Sequence, residues 1–126
     1  MIKDNYYFSN SFNNVVIFGY DESFKEIEKI NKKLKLKTIF ITSKDQSKNF
    51  KKLGLNFYIF NEYDKKLLIF LDKKVNFKET LFICFGSRVI FKKEIIKKFP
   101  DCIINWHNAR LPLDRGGAAL TFSILR

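Results

Sequence analysis

The stretch Thr80-Leu81-Phe82-Ile83-Cys84-Phe85-Gly86 decides the fold. A strand with one wet face alternates apolar and polar side chains, and this one is apolar on both faces. Continuous apolar runs of this length, closed by glycine, are the habit of parallel strands buried beneath helices on either side. Four more β-rich runs flank it: residues 15–20 (Val-Val-Ile-Phe-Gly-Tyr), 38–42 (Thr-Ile-Phe-Ile-Thr), 56–60 (Asn-Phe-Tyr-Ile-Phe) and 102–107 (Cys-Ile-Ile-Asn-Trp-His).

Lysine-rich helical patterns fill the intervals. Residues 21–33 carry Phe24, Ile27 and Ile30, with Leu34 just beyond, at helical spacing, and Asp21 or Ser23 is placed to cap them. Residues 47–53 form a short pattern stopped by Gly54, residues 65–73 repeat helical spacing through Leu67, Leu68 and Leu71, and residues 92–99 end before Pro100. After a loop at 108–116, the apolar segment 117–125 reads as a further helix. Five strands alternating with helices predict a Rossmann-like, three-layer α/β/α domain with a mainly parallel sheet over 14–126, preceded by a polar arm at 1–13.

The chain has 126 residues, suited to one domain with one core, and its 46% hydrophobic content excludes a disordered chain. Its net charge is +11, and all but four of the 24 basic residues are lysine. That excess either attracts an anionic partner (nucleic acid, a nucleotide, a polyglutamylated cofactor) or reflects a lysine-rich background. The lysines are spread along helix faces, without the aromatic–basic stripe that binds single strands. A nucleic-acid-binding module therefore rests on charge alone. Cys84 and Cys102 fall in separate strands and form no C-x-x-C pair, so zinc and redox motifs are unsupported and two buried thiols are expected. Residues 1–14 have no apolar signal-peptide core, and no apolar run reaches the ~18–20 residues that span a membrane. A soluble, cytoplasmic protein is the expectation.

In open α/β sheets, ligands bind beyond the carboxyl ends of the strands. The first strand's turn, Gly19-Tyr20-Asp21-Glu22-Ser23, lacks the G-x-G-x-x-G fingerprint and puts two acids where a pyrophosphate would sit. No P-loop is present. The richest chemistry follows the fifth strand: Asn105-Trp106-His107-Asn108-Ala109-Arg110-Leu111-Pro112-Leu113-Asp114-Arg115-Gly116-Gly117. Positions 105 and 107 are two apart on a strand and share a face. An Asn amide there can donate to a developing oxyanion, and a His can transfer a proton near neutral pH. Taken as residue types alone, a lone histidine such as His107 is more often a satisfied structural residue than a catalyst, and an asparagine at a strand end such as Asn105 is often a turn former.

The spacing N-x-H-x-x-x-L-P-x-x-R-G, carried by Asn105, His107, Leu111, Pro112, Arg115 and Gly116 and followed by Ala118-Ala119-Leu120, resembles the signature of the folate-dependent N-formyltransferases. The text Phe85-Gly86-Ser87-Arg88-Val89-Ile90 looks like that family's strand-four turn. The resemblance covers residues 14–126, with its strong motifs in 80–126. It implies transfer of a formyl group from N10-formyltetrahydrofolate to a primary amine. Asn105 would hold the formyl oxygen and His107 would assist proton transfer. Phe85, Gly86, Ser87, Arg88, Val89 and Ile90 would present backbone to the pterin. Leu111, Pro112, Arg115 and Gly116 would shape the mouth of the substrate loop. The acceptor favoured by the resemblance is a nucleotide-linked amino sugar of surface polysaccharide biosynthesis, with initiator methionyl-tRNA and glycinamide ribonucleotide as competitors. It implies no metal.

The family's third catalytic group, an Asp in a later strand, has no match here, and Asp114 does not occupy its position. Ala109 and Arg110 replace the family's usual Ser-Leu. With the family's last strands unmatched, the fifth strand is expected to be an exposed edge, and the chain to be a fragment, a homodimer or an inactive form.

Overall fold

The computed structural model describes residues 11–99 and 103–106. The elements run β1 (Asn14–Gly19), α1 (Phe24–Lys33), β2 (Lys37–Thr42), α2 (Lys44–Leu53), β3 (Tyr58–Ile59), α3 (Lys65–Lys74), a 3-10 turn (Phe77–Glu79), β4 (Thr80–Phe85), α4 (Lys93–Ile96) and β5 (Ile103–Trp106). The five strands form one all-parallel sheet in the order β3-β2-β1-β4-β5. The chain is thus a Rossmann-like α/β domain, as its apolar strands and their spacing require.

Period-2 alternation sorts the apolar side chains into two cores. Val15, Ile17 and Phe40 face Phe24 of α1 and Phe50 of α2. Val16, Phe18, Ile39, Ile41 and Phe82 face Leu67 and Leu71 of α3 and Ile95 of α4. Helices therefore cover both faces, and β1 in the middle is buried from Val15 to Gly19. Each such aliphatic or aromatic side chain removed from water contributes about 1.5–3 kcal/mol. Aromatic rings fill much of both layers: Phe24, Phe40 and Phe50 meet at centroid distances of 5.3–5.8 Å, and Phe82 and Phe99 at 4.6 Å.

The structure moves several expected boundaries. The second helix begins at Lys44, before the apolar pattern does, because Ser43 leaves β2 in extended conformation and starts the turn. The third strand is only Tyr58–Ile59, since it pairs on one side and just two residues find partners on β2. The fourth helix spans Lys93–Ile96 alone. Asn13, assigned by sequence to the arm, is bonded into the sheet: its N–H donates to the Glu79 carbonyl at 2.8 Å and its carbonyl accepts from Lys37 at 3.0 Å. On α1 the core-facing line is Phe24, Ile27, Asn31, while Ile30 and Leu34 are 55% and 63% exposed. Buried Asn31 is satisfied by donating Nδ2 to Thr38 Oγ1 at 2.9 Å. Neither proposed cap of α1 works as expected: Ser23 is the N-cap but its side chain makes no cap bond, and Asp21 instead accepts from the Ser23 amide and hydroxyl.

The end of α1 stores a small strain. The Leu36 amide reaches back to the Asn31 carbonyl and the Lys35 amide to Lys32, which places Lys35 in the left-handed region at φ 58°. Glycine normally takes that position because a Cβ there crowds the backbone. Lys35→Gly is expected to raise stability by about 0.5–1 kcal/mol, read as a higher urea midpoint at unchanged m-value. An unchanged or lower midpoint would contradict this account of the turn.

Candidate functional site

The strand order reverses between β1 and β4: β2 and β3 lie on one side of β1, β4 and β5 on the other. In this topology the switch point is where ligand crevices open. Here two glycines meet across it. Gly19, at φ 121°, ends β1; a Cβ there would stand 2.1 Å from the Phe85 carbonyl oxygen and 2.6 Å from the Ser87 nitrogen. Gly86, at φ 66°, ends β4; a Cβ there would stand 2.4 Å from the Tyr20 carbonyl oxygen. The Tyr20 amide donates to the Phe85 carbonyl at 3.1 Å, and Gln46 Nε2 donates to the Gly86 carbonyl at 2.9 Å. The crevice between β1 and β4 is filled by backbone. The α1 N-terminus beside it is occupied by the chain's own anion, since Asp21 accepts from Ser23. This close backbone contact and the Asp21 carboxylate at the start of α1 are unfavourable to a pyrophosphate, in line with the missing glycine fingerprint.

The space lies instead on either side of the turn after β4. That turn is held by Ser87, whose Oγ accepts from the Val89 amide at 3.2 Å and contacts the Val89 carbonyl oxygen at 3.0 Å and Tyr63 Oη at 3.4 Å. On the β5 side a cleft of about 370 Å³ is lined by Cys84, Ser87, Val89, Ile90, Phe91, Ile96, Ile103 and Asn105. Asn105 reaches it because β4 and β5 pair in register, Cys84 opposite Asn105. Its walls are mostly apolar with two polar side chains, Ser87 and Asn105, a composition and size typical of small-molecule sites. Ile90, at the rim, is 87% exposed. On the β2 side a second cleft, about 530 Å³, is lined by Ser43, Asn61, Glu62, Arg88 and Lys92 among others.

Of the side chains singled out from sequence, Ser87, Val89, Ile90 and Asn105 come together in the first cleft. Arg88 faces the second, which Val89 and Ile90 also line. Gly86 is spent on the contact with Tyr20. The Phe85 ring turns to the opposite face, stacked on Trp106 at 5.9 Å and against Phe24 at 5.8 Å. His107, Leu111, Pro112, Arg115 and Gly116 lie outside the described residues, as do Cys102 and the segment 117–125. Sequence reasoning passed over Cys84, Phe91 and Ile96 in the first cleft and Ser43 and Asn61 in the second. Thr42-Ser43 and Asn61 carried a readable signal, being polar groups at the carboxyl ends of strands.

Cys84 is the thiol lining the first cleft, and it is set against a nucleophilic role. Burial pushes its thiol from the ordinary 9.0 up to about 12. Tyr63, beneath the turn, is likewise raised to about 12 by burial, against the lowering effect of its Ser87 hydrogen bond. Both stay protonated at neutral pH, and thiolate chemistry is disfavoured. Among the described residues no group of three or more His, Cys, Asp or Glu side chains is placed to hold a metal ion, and no helix is long and apolar enough to cross a membrane. Comparison of the chain with protein-family models, curated proteins and solved structures gives no match.

The raised thiol makes a stability prediction. An unfolded chain ionises Cys84 above pH 9 while the folded chain keeps it protonated up to about 12. Its contribution is therefore complete below pH 9 and is lost as pH rises toward 12. Chemical denaturation across that range should show a shallower fall in stability for Cys84→Ala than for the wild type. At pH 8, iodoacetamide should label Cys84 far more slowly in folded than in urea-unfolded protein, read peptide by peptide in a mass spectrometer; equal rates would mean an accessible thiolate.

Proposed function

We propose that the chain is the folate-binding domain of an N-formyltransferase, moving a formyl group from N10-formyltetrahydrofolate to the primary amine of a nucleotide-linked amino sugar. The observation that carries this reading is the convergence of Asn105 with Ser87, Val89 and Ile90 on one apolar cleft. These residues come from two separate parts of the motif resemblance, and the β4–β5 register brings them to the same cavity. The cleft suits a flat heterocycle: apolar side chains for its faces, and a hydroxyl and an amide for orientation.

The chemistry follows from the residue types. Asn105 Nδ2 donates a hydrogen bond to the formyl oxygen, and that bond strengthens as the carbonyl carbon becomes tetrahedral and negative charge gathers on oxygen. The neutral acceptor amine forms the new C–N bond, the bond from formyl carbon to N10 breaks, and the proton lost by the amine ends on N10. His107, two residues further in the sequence, is the group to relay that proton. The net charge of +11 favours approach of an anionic sugar nucleotide.

The test incubates the whole protein that carries residues 1–126 with N10-formyltetrahydrofolate and a panel of nucleotide-linked amino sugars, with initiator methionyl-tRNA and glycinamide ribonucleotide as rival acceptors. Products are read by mass spectrometry. Formylation of an amino sugar is expected; formylation only of a rival keeps the reaction and replaces the substrate, and no product from any acceptor refutes the reading. Asn105→Ala should lower turnover about 10²–10³-fold, the usual loss for an oxyanion donor. His107→Asn should abolish transfer while leaving the circular dichroism spectrum and melting temperature nearly unchanged. Unfolding by His107→Asn would mark that residue as structural.

A further inference from the structure

In a parallel sheet joined by crossover helices, every strand ends at one pole of the domain and every helix ends at the other. Both clefts lie at the first pole. At the second, the amino end of the strands, each of the three ten-residue helices finishes on a pair of exposed lysines: Lys32 and Lys33 on α1, Lys51 and Lys52 on α2, Lys73 and Lys74 on α3. Exposed Lys35 and Lys37 lead from α1 into β2, and exposed Lys78 leads into β4. These segments meet at that end. Lys37 Nζ donates to the Lys74 carbonyl at 3.4 Å, and the Asn13 backbone bonds to both Lys37 and Glu79. Charge that is scattered along the sequence is thus gathered by the topology, with α1 and α2 on one face of the sheet and α3 on the other.

A lysine in the last helical turn complements the helix dipole, which accounts for some of these residues. It does not account for Lys35, Lys37 and Lys78, which lie outside the helices. Three helix ends, worth about half a negative charge each, and the acids Glu28, Asp72 and Glu79 leave the pole strongly positive. Glu28 engages Lys32 at 3.7 Å, and the other lysines there have no ion pair among the described residues. At the opposite pole the signs are mixed, with Asp21, Glu22, Asp45, Glu62 and Asp64 standing among the bases.

We infer that this lysine pole binds the phosphate backbone of a double-stranded nucleic acid without reading its sequence. Five strands about 4.8 Å apart make an end face about 20 Å wide, over which a duplex presents roughly a dozen phosphates. Ammonium groups suit phosphate as point charges, and among the described residues the pole has no arginine to fork onto a base edge. Tyr58, the exposed aromatic beside Lys74, already carries that ammonium over its ring at 5.5 Å, which favours a duplex over stacking with unpaired bases. The length of β4 separates this pole from the clefts by about 20 Å, so the nucleic acid held here is distinct from the formyl acceptor.

Fluorescence anisotropy of the full chain with labelled duplexes of about 20 base pairs and unrelated sequences, as DNA and as RNA, tests this. No formyl donor or acceptor is present, so the outcome is independent of formyl transfer. Binding that ignores sequence and weakens linearly with salt on logarithmic axes is expected for at least one kind of duplex, and that kind names the partner. The double variant Lys51→Glu, Lys52→Glu should weaken binding about 10-fold or more and flatten the salt slope by about 2. The double variant Lys65→Glu, Lys66→Glu, at the start of α3 on the opposite pole, makes the same change in net charge and should weaken binding less than about 2-fold. All four lysines are exposed, so both variants are expected to fold. Absence of binding to either duplex overturns the inference. So does an equal loss in the two double variants, which is the signature of diffuse attraction to a basic protein. Polyglutamate that displaces the duplex as well as unlabelled duplex does, at equal charge, also overturns it and assigns the pole to acidic proteins.

Discussion

The structure turns on the backbone contact between Gly19 and Gly86. Two strands that are distant in sequence end side by side, and their following turns approach so closely that neither position has space for a Cβ. The hydrogen bond from Tyr20 to Phe85 and the one from Gln46 to Gly86 lock that approach. An alanine at either glycine would have to push apart backbone atoms that belong to the central strand pair, at a φ that L residues rarely adopt. Because β1 is buried along nearly its whole length, that displacement would spread into both cores rather than be absorbed at the surface.

This contact also decides where open space is left at the carboxyl ends of the strands. In a dinucleotide-binding sheet the switch point stays open and the first helix offers its N-terminus to phosphate. Here the switch point is filled and Asp21 occupies the first helix's amide end. The turn after β4 becomes a partition with one cleft on each side, and Val89 and Ile90 line both. Toward β5 the lining is largely apolar, with Ser87 and Asn105; toward α2 it is charged and polar, with Ser43 and Arg88. That short segment is fastened by Ser87, Tyr63 and Gln46 together.

Much of the architecture was legible in the sequence because burial on two faces leaves a mark that no single-faced strand can imitate. The runs in β1, β2 and β4 show it, and those three strands form the middle of the sheet. The weaker elements were misjudged where burial is one-sided. β3 pairs through two residues, and the apolar Ile30 of α1 and Leu34 just beyond it sit in solvent while Asn31 is buried. No hydropathy pattern foretells a buried asparagine whose partner, Thr38, lies seven residues away. The first cleft was partly legible, since Asn105 and the turn after β4 stand out as polar or glycine-containing text at strand ends. Cys84, Phe91 and Ile96 do not, because their place in its wall depends on how β4, β5 and α4 pack. The second cleft was missed although Ser43 and Asn61 are polar text at strand ends, because their meeting with Arg88 depends on how β2, β3 and the turn after β4 are placed.

The central claim is that the cleft between the turn after β4 and β5 holds the folate. Nuclear magnetic resonance of the isotopically labelled protein, titrated with 5-formyltetrahydrofolate as an unreactive stand-in for the donor, tests it directly. The account predicts saturable shifts concentrated on the amides of Ser87, Val89, Ile90 and Ile103 and on the side-chain amide of Asn105, with the amides of α1 unmoved. Shifts absent at saturating folate, or scattered over the lysine-rich helix faces with Asn105 untouched, would contradict it.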